Sequence, residues 1–288
     1  MKFSAIIHAM TFEGQDTLSL PEACATLRDC GFEGVMLMSI PGRPTLKADD
    51  VPDACLLDLA NSDLDAVRVI VDDAGLEIVG LYCSGIDPSS AEGFQASVQS
   101  LTDGARVARE LGCHHLGHGG GRSPSPGLAT DAKLPLVQRL AQIVDAVATE
   151  FEEMLFAVDA HYHGVIESVA DCERYIGELE TDRGGILLNT GHMTTCRQDG
   201  WTLIEQYPER VPVIGWKDHV PDPDARKPFL SIELGAGDTR LERYVQAARG
   251  QDVDRVHVIN VESVGMQEKP EALRASLEHM RSLRDAGA

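Results

Sequence analysis

The sequence predicts an α/β chain closed into a (β/α)8 barrel. Three observations carry that prediction: eight short apolar runs rich in β-branched residues, a stretch at helical spacing after each, and a suitable length. The chain has 288 residues, close to the roughly 250 at which such a barrel is complete as one domain. A single domain spanning residues 1–288 is therefore expected.

The strands are expected near 3–8, 34–39, 77–84, 114–118, 155–161, 185–189, 211–217 and 256–262. Helical patterns lie between and after them, near 20–30, 62–75, 91–111, 133–151, 168–179, 201–207, 239–249 and 270–284. Strict alternation of the two is the sign of repeated βα units and a parallel sheet. Ser19-x-x-Glu22 and Thr239-x-x-Glu242 read as capping boxes, and Pro270 suits the first turn of the last helix. An open doubly wound sheet is the competitor, but no Gly-x-Gly-x-x-Gly follows the first strand. The longest irregular stretches, 40–61, 119–132 and 219–237, each follow a strand. In a barrel this places all three at the C-terminal mouth, where substrates bind.

Composition narrows the function. With 25 Lys and Arg against 46 Asp and Glu, the net charge is −21. A polyphosphate such as DNA is repelled unless a basic stripe compensates, and Arg226-Lys227 is the nearest thing to a cluster. No apolar run approaches the roughly 20 residues of a membrane helix, and the first residues read as a strand, not as a signal peptide. Seven scattered cysteines without a Cys-x-x-Cys pair fit reduced thiols in a cytoplasmic enzyme. Neither nucleic acid nor a membrane is expected as a partner, and homo-oligomerisation stays open.

Strand alternation places polar side chains at four consecutive strand ends. Asp159, His161 and His163 share one parity on the fifth strand, and Asn260 and Glu262 share one on the eighth. Asn189 ends the sixth strand with His192 just beyond it, and Lys217 and His219 close the seventh. A carboxylate in a barrel mouth is costly to bury unless it is paired or hydrogen-bonded, so four such ends together point to a site. His118 opens the glycine run Gly119-Gly120-Gly121 after the fourth strand, whose backbone suits either close approach of a ligand or a tight turn. His114 and His115 are adjacent, so on a strand only one of them faces inward.

These segments resemble the xylose-isomerase-like TIM barrel superfamily, which includes sugar isomerases and epimerases, inosose dehydratase and type 2 AP endonucleases. Phe156-Ala157-Val158-Asp159-Ala160-His161 is similar to its fifth strand, and Leu187-Leu188-Asn189-Thr190-Gly191-His192 to its Leu-Asp-Thr-Gly-His sixth strand. Ile214-Gly215-Trp216-Lys217-Asp218 resembles the His-x-Lys-Asp seventh strand. Leu234-Gly235-Ala236-Gly237-Asp238 resembles the Gly-x-Gly loop, and Val261-Glu262-Ser263 the glutamate-bearing eighth strand. The resemblance implies a divalent cation (Mn²⁺, Mg²⁺ or Zn²⁺) on Asp159, Asn189 and Glu262, but the fourth ligand position falls on Gly215. Met36 likewise stands where relatives often carry a glutamate. Two ways of living with the altered set remain open. Water or a nearby histidine fills the vacancy, or the Lys217 ammonium takes part of the metal's space and neutralises Asp159 and Glu262. Lys217 also has a purely structural reading, as an ion pair with Asp218.

The activity implied is isomerisation or epimerisation of a sugar or keto-sugar by proton abstraction next to a carbonyl, and the partner implied is a small-molecule carbohydrate or polyol. Asp159 and Glu262 would be base and acid, Lys217 the electrophile, and His161, His163, His192 and His118 the substrate contacts. The same enediolate can expel a leaving group, which gives an inosose-dehydratase-like or C-glycoside-cleaving lyase; on that resemblance Glu167 joins the polar candidates. The alternative of another class is a non-catalytic barrel that binds a carbohydrate or protein partner.

Overall fold

The computed structural model describes residues 1–10, 18–41, 54–224 and 227–286. Residues 42–53 of the irregular stretch expected at 40–61, and 225–226 of the one expected at 219–237, Arg226 among them, lie outside the described residues. In chain order the elements are β1 (Ser4–Ile6), a 3-10 turn (Ile7–Met10), α1 (Leu20–Asp29), β2 (Gly34–Ser39), α2 (Leu64–Asp73), β3 (Glu77–Cys83) and α3 (Ala91–Glu110). There follow β4 (His115–His118), α4 (Thr130–Ala148), β5 (Leu155–Asp159), α5 (Val169–Glu178), β6 (Gly184–Asn189), α6 (Thr190–Thr195) and α7 (Trp201–Gln206). The chain ends with β7 (Val213–Trp216), β8 (Asp218–Pro221), β9 (Phe229–Ile232), α8 (Leu241–Ala248), β10 (Val256–Ile259) and α9 (Lys269–Asp285).

Eight strands close a parallel barrel in the order β1-β10-β7-β6-β5-β4-β3-β2. The barrel is the (β/α)8 fold that the alternation predicts. Its strands are covered by helices outside and packed side chains inside, so they read as continuous apolar runs, not as alternating ones. Three elements depart from expectation. β8 and β9 form an antiparallel hairpin beside the mouth, pairing Asp218 with Ile232 and Pro221 with Phe229. α6 begins directly after β6, so His192 is helical. Among the described residues no helix is long and apolar enough to cross a membrane.

The capping box at Ser19 forms, with Glu22 Oε2 accepting the Ser19 amide at 3.0 Å. The one expected at Thr239 does not, because α8 starts one residue later, without a side-chain cap. Asp218 explains the difference. Its carboxylate accepts the Thr239 amide on Oδ1 and the Gly235 and Gly237 amides on Oδ2, each at 2.9 Å. The Gly-x-Gly loop is folded around that carboxylate, and a Cβ on Gly237 would lie 2.3 Å from Asp218 Oδ1.

A buried ion pair holds α4 to α5. Lys133 is 1% and Asp171 0% exposed, and Lys133 Nζ donates to Asp171 Oδ2 at 2.5 Å. The same carboxylate accepts the Thr130 hydroxyl at 2.8 Å and the Ser168 amide at 2.9 Å, completing a capping box at the start of α5. Removing one partner of a buried pair leaves an uncompensated charge. Lys133→Met is therefore expected to cost about 3–5 kcal/mol, read as a lowered midpoint in urea unfolding, and an unchanged midpoint would refute this account.

Candidate active site

The C-terminal ends of β5, β6, β7 and β10 carry Asp159, Asn189, Lys217 and Glu262, which form two hydrogen-bonded groups, Asp159 with Asn189 and Lys217 with Glu262. Asp159 is 8% exposed and accepts the Tyr82 hydroxyl on Oδ2 at 3.2 Å and the Asn189 amide on Oδ1 at 3.4 Å. The carboxylate fixes the amide's orientation, since flipping Asn189 would set oxygen against oxygen. Glu262 Oε1 accepts the Lys217 ammonium, and the Asn260 amide at 3.0 Å, while Lys227 Nζ stands 3.8 Å from Oε2. Lys217 itself is pinned through its backbone. Thr190 Oγ1, at the first residue of α6, accepts the Lys217 amide at 2.9 Å and donates to its carbonyl at 2.7 Å.

Electrostatics divide the two carboxylates. Burial raises the pKa of the Glu262 carboxyl, but the Lys217 ammonium, His8 and Lys227 together outweigh it and hold the group well below the usual range. Glu262 is thus a fixed anion that positions an ammonium. Burial, and then the charge of Asp159, push the Tyr82 phenol well above its ordinary value. Tyr82 therefore stays a donor to Asp159.

A ring stack backs the cluster. His161 and His192 lie with centroids 3.7 Å apart, His192 meets His219 edge-on at 4.9 Å, and His219 stacks on Phe229 at 4.1 Å. Burial lowers the pKa of all three imidazoles, that of His219 to about 3, so they are neutral at pH 7. His161 Nδ1 lies 2.7 Å from the Tyr162 carbonyl. A carbonyl only accepts, so the proton sits on Nδ1 and Nε2 is left as an acceptor.

A cavity of about 450 Å³ opens over the cluster, with Tyr82, Asp159, His161, Arg122 and Lys227 in its wall. That volume suits a small ligand. A larger cavity of about 740 Å³ lies at the opposite, N-terminal end of the barrel. Size alone would favour it, but barrel chemistry is built at the C-terminal ends of strands, where the paired carboxylates are.

Several expected site residues sit elsewhere. His118 is fully buried and faces the helices. Its neighbour Gly117 faces the interior, where a Cβ would meet Leu187 and Tyr82 at 2.9 and 3.0 Å, and alternation sends His118 the other way. His192 is 1% exposed and stands behind His161, outside the cavity wall. His163 does line the cavity, but β5 ends at Asp159, so strand parity no longer governs it. It has φ +61°, and its ring meets Arg122 Nη2 at 3.2 Å. Glu167 braces this turn, accepting the His163 and Gly127 amides at 2.8 Å each. Tyr82, Arg122 and Lys227 escaped sequence reasoning, though the inward parity of Tyr82 at the end of β3 was available.

The expected void at Gly215 is not open, since Leu187 Cδ2 lies 3.2 Å from the position of a Cβ there. Lys217 instead pairs with Glu262, and Asp218 is committed to the Gly-x-Gly loop. A divalent cation on Asp159, Asn189 and Glu262 does not fit this arrangement. Glu262 carries an ammonium, Asp159 faces amide and phenol protons, and Gly215 offers no ligand atom. Among the described residues one triad of His and Asp donors converges, His114, His115 and Asp254. Two consecutive side chains do reach one carboxylate, because His114 precedes β4 and strand alternation does not yet apply.

Comparison with known proteins places this fold. The chain aligns over 98% of its length with a probable 3-DHS dehydratase, AsbF, from Bacillus anthracis (16% identity, 99% of that chain, TM-score 0.68). It aligns over 99% with the IOLI protein, whose structure holds a zinc atom (12% identity, 99% of that chain, TM-score 0.69). It aligns over 98% with a D-allulose 3-epimerase from Methylomonas sp. (13% identity, 98% of that chain, TM-score 0.69). No curated protein matches. The family model described as xylose isomerase-like TIM barrel matches residues 24–283, and with that the chain belongs to the xylose isomerase-like TIM barrel family.

Proposed function

We propose that the protein is a sugar or keto-sugar isomerase or epimerase that abstracts the proton next to a carbonyl and passes through an enediolate. The observation that carries this reading is Asp159, oriented by Tyr82 and Asn189, in the wall of a cavity of a size for a monosaccharide that Lys227 also lines. Structural neighbours described as a sugar phosphate isomerase/epimerase and a D-allulose 3-epimerase support the substrate class.

In this reading Asp159 removes the α-hydrogen. Positive charge preorganised at the developing oxyanion is the largest lever a site has on such a step, and the Lys217 ammonium supplies it. Glu262, held as an anion, aims that ammonium and takes no part in moving the proton. Asp159 therefore returns the proton it took to the adjacent carbon, while the hydroxyl proton passes from one enediolate oxygen to the other, which gives an isomerase; an epimerase needs a second proton donor on the opposite face. No divalent metal enters the scheme.

The test is deuterium exchange in D2O, followed by NMR at the carbon next to the carbonyl, on a panel of pentoses, hexoses, their ketoses and 6-phosphates, and inososes. Deuterium uptake that survives EDTA and is lost in Lys217→Met is the expected result. Loss of activity with EDTA would overturn the lysine scheme. A product short of one water would make the barrel a lyase, and no exchange on any compound would leave it a binding protein.

A further inference from the structure

The opposite end of the barrel carries a feature that the mouth does not need. His114 and His115 come from the turn into β4, and Asp254 from the connection between α8 and β10. In the ring of eight strands β4 and β10 stand diametrically opposite, so the contact spans the floor of the barrel. His114 Nε2 lies 2.6 Å from Asp254 Oδ2, and His115 Nε2 lies 3.6 Å from Asp254 Oδ1. The ring centroids are 4.4 Å apart. The three ligand atoms fall within 4.8 Å of one another.

We propose that these three residues form a structural site for a borderline divalent transition metal, with Zn²⁺ as its first probe. In a tetrahedral zinc site with bonds of about 2.0–2.1 Å, neighbouring donors stand about 3.3 Å apart; the distances here bracket that value. Two imidazoles and one carboxylate match Zn²⁺ or Ni²⁺ and leave a fourth position for water, whereas Mg²⁺ and Ca²⁺ prefer all-oxygen shells.

The simpler alternative, an ion pair between His114 and Asp254, explains less. Their side chains are 47% and 65% exposed, and such a pair is worth little in water. His115, 3% exposed, turns its ring toward the same residue, its Nε2 3.6 Å from the carboxylate and 3.4 Å from the Asp254 carbonyl. All three residues line the 740 Å³ cavity, which gives an ion and its water a route in. Binding would tie together walls that are 140 residues apart in sequence and would stabilise the folded state alone.

The experiment uses full-length, tag-free protein stripped with EDTA and desalted, titrated with ZnCl2 by calorimetry and followed by thermal melting. One Zn²⁺ per chain is expected, with a melting point raised by about 5 °C at a hundredfold excess over Kd. His114→Gln and Asp254→Asn change exposed side chains and leave the fold intact by circular dichroism. Each is expected to weaken binding by at least ~10–100-fold, the loss seen when even a supporting residue of a metal site is removed. Asp159→Asn, at the mouth, should bind Zn²⁺ as wild type does, and MgCl2 should shift nothing. Binding that persists unweakened in both His114→Gln and Asp254→Asn, or no Zn²⁺-dependent shift in wild type, would overturn the proposal.

Discussion

Asp159→Asn lowers α-hydrogen exchange by about 10²–10⁴-fold, the contribution of a positioned general base, while the melting point stays near that of the parent. The substitution keeps the shape of the side chain and one acceptor oxygen. It therefore still receives one of the two bonds from the Tyr82 hydroxyl and the Asn189 amide, but it cannot take up a proton. Its effect falls on kcat, because the interaction removed is made only in the transition state. Glu262→Gln behaves differently. It frees the Lys217 ammonium from its anchor without removing the base, so the expected loss is smaller and is partly restored by Glu262→Asp. If Glu262→Gln were the more damaging of the two, the proton would be moving through Glu262 and the assignment of roles would be reversed.

The barrel was legible in the sequence because its signal is distributed. Each strand is a short apolar run and each helix an amphipathic one, and no single misplaced boundary disturbs the alternation. The cluster at the mouth was legible in part for the same reason. Asp159, Asn189 and Lys217 stand at or one residue past the ends of β5, β6 and β7, where parity still governs direction, and Glu262 lies three residues past β10. His118 and His163 mark the limits. His118 precedes glycines that suit a ligand-binding mouth, although its strand parity sends it to the helices. His163 lies past the end of its strand, in a turn that Glu167 holds together through backbone amides no motif reports. The hairpin of β8 and β9 was hidden in a proline-bearing segment too short to show a period. Lys133 and Asp171 were silent because a charged pair on two amphipathic helices reads as solvated surface until the helices are packed.

Acidification should unfold this barrel well before its carboxylates are protonated. Burial depresses the pKa of His115 and His118 to about 4, and that of His219 and His257 to about 3; His8, His161 and His192 are shifted in the same direction. The unfolded chain protonates these groups below its ordinary value of 6.5, whereas the folded chain refuses the protons until its own lower pKa is reached. Stability is therefore fully present above pH 6.5 and falls as pH drops from there toward 4. At pH 5 each such histidine costs about 2 kcal/mol, at 1.36 kcal/mol per pH unit. The four with assigned values together cost on the order of 8 kcal/mol, comparable to the whole stability of about 5–15 kcal/mol typical of a folded domain. Glu262 acts in the same sense at lower pH. Its depressed carboxyl contributes stability above the ordinary glutamate value of 4.5 and loses it as pH falls toward the depressed one. Urea midpoints measured in EDTA between pH 8 and pH 4.5 should be flat above 7 and fall steeply below 6.5. His257→Phe, which keeps a ring against Phe3 and Trp216, should remove about one proton from that slope. A midpoint that held constant from pH 7 to pH 5 would mean that the buried imidazoles accept protons in the folded state, through water or carboxylates that reach them.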